Sequence, residues 1–97
     1  MELNMNYFNS LVTLTCECAR NGIIISKIIQ MWNGFKVEFE GFPYADAILH
    51  DGSYGHTDGL WESLGFPWDE DDVSIHTPSE LAYLIGQLKR DAGLTPR

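Results

Sequence analysis

Ile23-Ile24-Ile25-Ser26-Lys27-Ile28-Ile29-Gln30-Met31-Trp32-Asn33-Gly34-Phe35-Lys36-Val37-Glu38-Phe39-Glu40 is the stretch whose reading decides the fold. Two runs rich in β-formers flank Asn33-Gly34, the dipeptide that most readily supplies the two positive-φ positions of a two-residue hairpin turn. A turn there predicts a register in which Trp32 faces Phe35, Gln30 faces Val37 and Ile28 faces Phe39. On the opposite side Ile29 meets Glu38 and Lys27 meets Glu40. Trp32, Phe35, Val37 and Phe39 then point to a core, and Lys36, Glu38 and Glu40 to solvent. The first run is apolar on both faces, with Ile23, Ile25 and Ile29 on one and Ile24 and Ile28 on the other, which predicts a strand inside the sheet or covered twice.

Upstream, Asn4 to Arg20 carries Phe8, Leu11, Val12, Thr15, Cys18 and Ala19 at helical spacing, and Asn21-Gly22 follows as a stop. Downstream of the break at Gly41-Phe42-Pro43, Tyr44 to His50 reads as a third strand with Ala45, Ala47 and Leu49 on one side and Asp46 on the other. Asp51-Gly52-Ser53 closes it as a turn. Tyr54 to Asp72 is expected to be mostly loop, with Thr57 or Asp58 capping one helical turn through Leu60 to Leu64. Val73 to His76 is a brief strand. Thr77-Pro78-Ser79-Glu80 then has the form of a capping box with proline at the first helical position, and Leu81, Leu84, Ile85 and Leu88 share a face of the helix it starts. Lys89 and Arg90 complement the last turn, and Gly93 is the expected end. The fold class predicted is α+β in one domain, residues 1–97: an antiparallel sheet of three to four strands with an N-terminal and a C-terminal helix on one face, the acids on the other.

The 97 residues carry a formal charge of −8, and its placement is uneven. Val37 to Leu88 holds eleven of the fourteen acids and none of the six lysines and arginines. That division favours a partner that is positive where it docks. It argues against direct contact with nucleic acid or an anionic membrane, whose phosphates call for cations. Cys16 and Cys18, two apart on a helix, do not meet and read as reduced thiols of an intracellular protein. No stretch reads as a signal peptide or a membrane span.

The acidic residues are the leading candidate site. Glu38 and Glu40 alternate along one strand, about 6.7 Å apart, with Asp46 on the next. Asp51, Asp58 and Glu62 follow, and Asp69-Glu70-Asp71-Asp72 adds four carboxylates whose mutual repulsion a cation would relieve. Against this stands plain solubility, and Lys27 opposite Glu40 would shorten the track. Trp61 and Trp68 flank the acidic loop as core residues or interface anchors. His50, His56 and His76 do not have zinc-site spacing, and Asp51 to Glu62 has His56 where a calcium loop needs glycine. No metal or cofactor is expected. Ser53 and Cys16, the candidate nucleophiles, have neither a Gly-x-Ser-x-Gly elbow nor a basic neighbour, so no enzyme is expected.

With Glu38, Glu40, Asp46 and the Asp69–Asp72 cluster as its best residues, the chain resembles, in size and charge layout, the small acidic anti-CRISPR proteins of phages that mimic double-stranded DNA. Among these it resembles the inhibitors of type I-F surveillance complexes, partly on chain length. The resemblance implies a monomeric inhibitor in the host cytoplasm whose carboxylates occupy lysine and arginine sites meant for target phosphates. Two other readings use different interfaces. An immunity protein capping a basic toxin or nuclease would gather the acids with Trp61 and Trp68 in one compact patch, and a phage structural protein would associate through apolar surface.

Overall fold

Residues 4–70 and 72–92 are described by the computed structural model. Helix α1 (Met5–Arg20) is followed by a meander of five strands, β1 (Ile25–Met31), β2 (Gly34–Phe39), β3 (Asp46–Leu49), β4 (Trp61–Leu64) and β5 (Ser74–His76), and by helix α2 (Pro78–Asp91). The strands lie in the order of the chain, each antiparallel to the next. The α+β architecture is therefore as predicted, with a fifth strand.

The hairpin turn falls one residue earlier than Asn33-Gly34. Trp32 and Asn33 take φ of 44° and 63°, and Met31 pairs with Gly34. Gly34 is needed for another reason: a Cβ there would lie 2.0 Å from the carbonyl oxygen of Leu49 on β3. Glycine at 34 thus lets β3 close over the start of β2, and the turn is left to its two predecessors. The register changes by two in consequence: Ile28 faces Val37, Gln30 faces Phe35 and Lys27 faces Glu38. An even change keeps the strand residues from Lys27 onward on their expected sides, while the bulge between Ile25 and Lys27 moves Ile25 from the side of Ile29 to the core side, opposite Phe39. Trp32 alone leaves the core, 63% exposed, its ring edge-on to His50.

The core lies between the sheet and the two helices. Phe35, Val37, Phe39, Ala47, Leu49 and Trp61 from the strands meet Tyr7, Leu11, Leu14 and Cys18 from α1 and Leu81, Ala82 and Ile85 from α2. The buried stripe of α1 is thus rotated from the predicted one. It shares Leu11 and Cys18 with it, but Phe8 and Val12 face solvent. Asn4 caps α1 through its side-chain oxygen, which accepts from the Asn6 and Tyr7 N–H groups. At the other end Gly22, at φ 69°, turns the chain out of the helix. Lys89 of α2 is buried and donates its Nζ to the Gly22 carbonyl at 2.7 Å, so this lysine joins the two helix ends instead of facing solvent.

Two further expectations are corrected. β1 is an edge strand, paired only with β2, and is not covered twice: Ile24 and Ile28 are about half exposed. The stretch Leu60 to Leu64, expected as a helical turn, holds strand β4, whose Glu62 is paired with Ile48 and Ile75 on either side. The helical turns nearby are short 3₁₀ segments at His56–Asp58 and Pro67–Asp69. Thr77 caps α2 as expected, its Oγ1 accepting from the Glu80 N–H at 3.1 Å. Glu80 does not complete the box, because its carboxylate turns to His76 Nδ1 at 2.8 Å. Gly93 lies outside the described residues.

Candidate functional site

Both helices pack on one side of the sheet, and the alternate residues of the same strands form the other. Register places them in two rows. Lys27, Glu38, Asp46 and Leu64 cross from β1 to β4, and Ile29, Lys36, Ile48, Glu62 and Ile75 cross from β1 to β5. Glu38 and Asp46 are directly opposed, while Asp46 and Glu62 are diagonal neighbours, a separation of about 7–8 Å between Cα atoms. Three of the predicted acids therefore stand on three adjacent strands.

Lys36 sits among them, its Nζ 3.9 Å from Glu38 Oε2 and 3.8 Å from Asp46 Oδ2. It does not neutralise the group. Burial raises the pKa of Asp46 above the ordinary aspartate range, Lys36 pulls it back, and Glu38 and Glu62 push it up again. A carboxylate whose charge is disfavoured this way gains from an approaching cation. Glu62 is anchored by accepting the Tyr54 N–H at 3.0 Å. The face also carries Leu64 and Ile75, 50% and 46% exposed, so a partner would meet carboxylates on a partly apolar ground.

The other predicted site residues are dispersed. Glu40 is exposed just past β2, and Glu70 and Asp72 are exposed in the loop before β5. Asp71 lies outside the described residues. Asp51 and Asp58 belong to the connection between β3 and β4, at the end of the sheet where α1 begins. There Tyr7 Oη donates to Asp51 Oδ1 at 2.8 Å and lies 2.7 Å from His56 Nδ1, and Asn33 Nδ2 donates to Asp51 Oδ2 at 2.7 Å. These bonds from Asn33 and Tyr7 hold the Asp51 carboxyl below the usual range. The Tyr7 phenol is pushed up to about 12, by burial first and the Asp51 hydrogen bond second. Asp51 thus clamps α1 to the β1–β2 turn. A cleft of about 430 Å³ between α1, the first 3₁₀ turn and the start of α2 includes Asn6, Asn9, Thr13 and Asp58 in its lining, with no histidine, cysteine or cation among the lining residues described.

Asp69 and Trp61 leave the docking set. Trp61 has no exposed surface, and its Nε1 donates to Ser10 Oγ on α1 at 3.0 Å. Asp69 is buried and accepts from Ser63 Oγ, from Ser74 Oγ and from the Phe66 N–H. Trp68 is half-buried, stacked on Phe66 at 4.7 Å, with its Nε1 donating to Ser63 Oγ at 3.1 Å. Charge in the run 69–72 is therefore not uniform surface charge, since its first member fixes the loop to β4 and β5.

No family model, no curated protein and no solved structure matches this chain.

Ser74, His76 and Glu80 form an arrangement that the sequence reading missed. Ser74 Oγ is 2.7 Å from His76 Nε2, and His76 Nδ1 is 2.8 Å from Glu80 Oε1, the connectivity of a serine nucleophile, its base and an orienting acid. The Asp69 carboxylate also takes the Ser74 hydroxyl, so it competes with His76 for the hydroxyl proton. With Ser63 and Trp68 this is a closed polar network tying β4, β5, the 65–73 connection and α2 together. Its sequence signal was Ser74-x-His76 at strand spacing, leading into Glu80 one helical turn on. Among the described residues no group of histidines, cysteines and carboxylates is arranged to hold a metal ion, and no helix is long and apolar enough to cross a membrane.

Proposed function

We propose that this chain acts by docking its uncovered sheet face on a basic, nucleic-acid-binding surface of a partner protein, excluding the nucleic acid as a DNA mimic. The observation that carries this reading is the placement of Glu38, Asp46 and Glu62 on three adjacent strands of an open face, with Asp46 left short of compensation. Carboxylates in that arrangement offer an arginine- and lysine-lined channel the repeated negative charge it is built to receive. The partner of the class expected from size and charge is a type I CRISPR surveillance complex, met in the cytoplasm of a phage host. An immunity protein is less well supported, because Trp61 and Trp68 are drawn into the core and the acids do not gather round them in one compact patch.

The test is competition. Surveillance complex immobilised with its guide should retain the chain at low salt, release it as salt rises, and lose it to target double-stranded DNA. Substituting Glu38→Lys, Asp46→Lys and Glu62→Lys together should abolish retention while circular dichroism stays that of the parent. Retention that ignores both salt and these substitutions would remove the open face from the interface.

A further inference from the structure

We propose that the β1 edge is a self-association surface, on which a second copy of this chain pairs antiparallel to continue the sheet from five strands to ten. The two edges of the sheet differ sharply. β5 has three residues, whereas β1 has seven, with Ile24, Ile28 and Trp32 exposed by 51%, 46% and 63% along the same border. Proteins ordinarily blunt such an edge with lysines, prolines, bulges or brevity. Here one lysine and the bulge between Ile25 and Lys27 guard the start of the strand, and Ile28 to Trp32 carry no charge and no proline. Ile28 is on the helix side of the sheet, opposite Val37, yet it remains half exposed because α1 bears mainly on β2.

The hydrogen-bonding pattern fixes how a mate can fit. A two-residue turn closes on a hydrogen-bonded pair, Met31 with Gly34, so the next such pairs are Ile29 with Lys36 and Lys27 with Glu38. The N–H and C=O groups of Ile28 and Gln30 consequently point away from β2. A twofold axis through Ile28 pairs its free groups with those of its own counterpart and sets Lys27 opposite Ile29 of the mate. Gln30 then meets Ser26 of the mate, and the bulge there ends the ladder with that pair. An interface in which each residue meets its symmetry equivalent is self-complementary by construction.

Charge selects the occupant. From Asn21 to Phe35 the sole charged side chain is Lys27, although the chain as a whole carries −8. Two copies brought together on their open faces set carboxylates against carboxylates. On the β1 edge they meet with no acid on either strand, and the two Lys27 residues are diagonal neighbours, not directly opposed. The twofold also places both open faces on the same side of the continued sheet and all four helices on the other. This association does not depend on the proposed docking function, and it is measured on the purified chain without any partner.

Sedimentation velocity over a concentration series should show the parent shifting from one chain mass to twice that mass. Ile28→Lys should raise the dissociation constant at least tenfold, while Ile75→Lys on β5 leaves it unchanged. Hydrogen exchange gives an independent reading on the unaltered chain: the Ile28 and Gln30 amides should slow as concentration rises, and the Ile29 amide, already bonded to β2, should not. A parent that stays at one chain mass up to millimolar concentration, a dimer indifferent to Ile28→Lys, or Ile28 and Gln30 amides that exchange at the same rate at every concentration would each overturn the proposal.

Discussion

The two faces of the sheet are built from the same strands, one residue out of step, and they are governed by different physics. On the helix side Val37, Ala47, Leu49 and Trp61 have no exposure, and their neighbours are carbon atoms at packing distance. On the open side Lys36, Glu38, Asp46 and Glu62 stand in partial contact with water, joined by ion pairs near 4 Å that are worth little individually. Stability is thus concentrated on one side and charge on the other. An alteration on the helix side should change folding and leave the charge pattern alone, and one on the open side should do the reverse.

The sharpest way to break that contrast is Trp61→Ala, which empties a fully buried indole site and takes the indole N–H away from the Ser10 hydroxyl, which keeps its bond to the Gly59 carbonyl. It should cost about 3–5 kcal/mol in chemical denaturation. Asp69→Ala comes next: an acid by sequence but a core residue by position, its loss leaves the Ser63 and Ser74 hydroxyls without their carboxylate and should cost about 2–3 kcal/mol. The neutral triple substitution Glu38→Gln, Asp46→Asn, Glu62→Gln should move stability by no more than about 0.5 kcal/mol while taking partner binding to background in the competition assay.

The smallest effect is in the pH dependence. Asp46 has a raised folded pKa, so the native state holds its proton more tightly than the unfolded chain, whose aspartates titrate near 3.9. This residue therefore makes stability rise as pH falls through the folded value, with the gain complete below the unfolded one. Asp51 has a lowered pKa and acts with the opposite sign: its contribution is present above the unfolded value and is lost as pH falls through the folded one. Melting temperatures followed from pH 7 to 2.5 should show Asp46→Asn removing the first trend and Asp51→Asn the second.

What could be read in advance follows the same division. Alternation in Phe35 to Glu40, the Thr77-Pro78 start and the Asn21-Gly22 stop are local signals, and they placed β2, α2 and the end of α1 correctly. The turn was misplaced because Asn33-Gly34 satisfies two demands, and only the approach of Leu49, fifteen residues on, makes the closeness of Gly34 the stronger one. β4 was unreadable for a related reason. Trp61 and Leu64 fit a helical turn as well as a strand, and the decision rests with Ile48 and Ile75, which pair with Glu62 from distant parts of the chain. On α1, two overlapping stripes share Leu11 and Cys18; Tyr7 wins over Phe8 because its hydroxyl finds Asp51 and His56. Of the acids, alternation placed Glu38 and Asp46 on the open face, but nothing local separates Asp69 from Glu70. Their difference is made by Ser63 and Ser74, on strands that flank the loop.

Cys16 and Cys18, two residues apart on α1, differ in a way that bears on how the molecule can be handled. Cys18 is sealed in the core, its thiol pushed up to about 12 by burial and by Glu17, whereas Cys16 lies exposed on the outer side of the helix layer. A maleimide dye at neutral pH will therefore attach at one position without any cysteine being engineered away. That position is across the molecule from the open sheet face, so a fluorophore there can report tumbling and capture while leaving the carboxylates untouched.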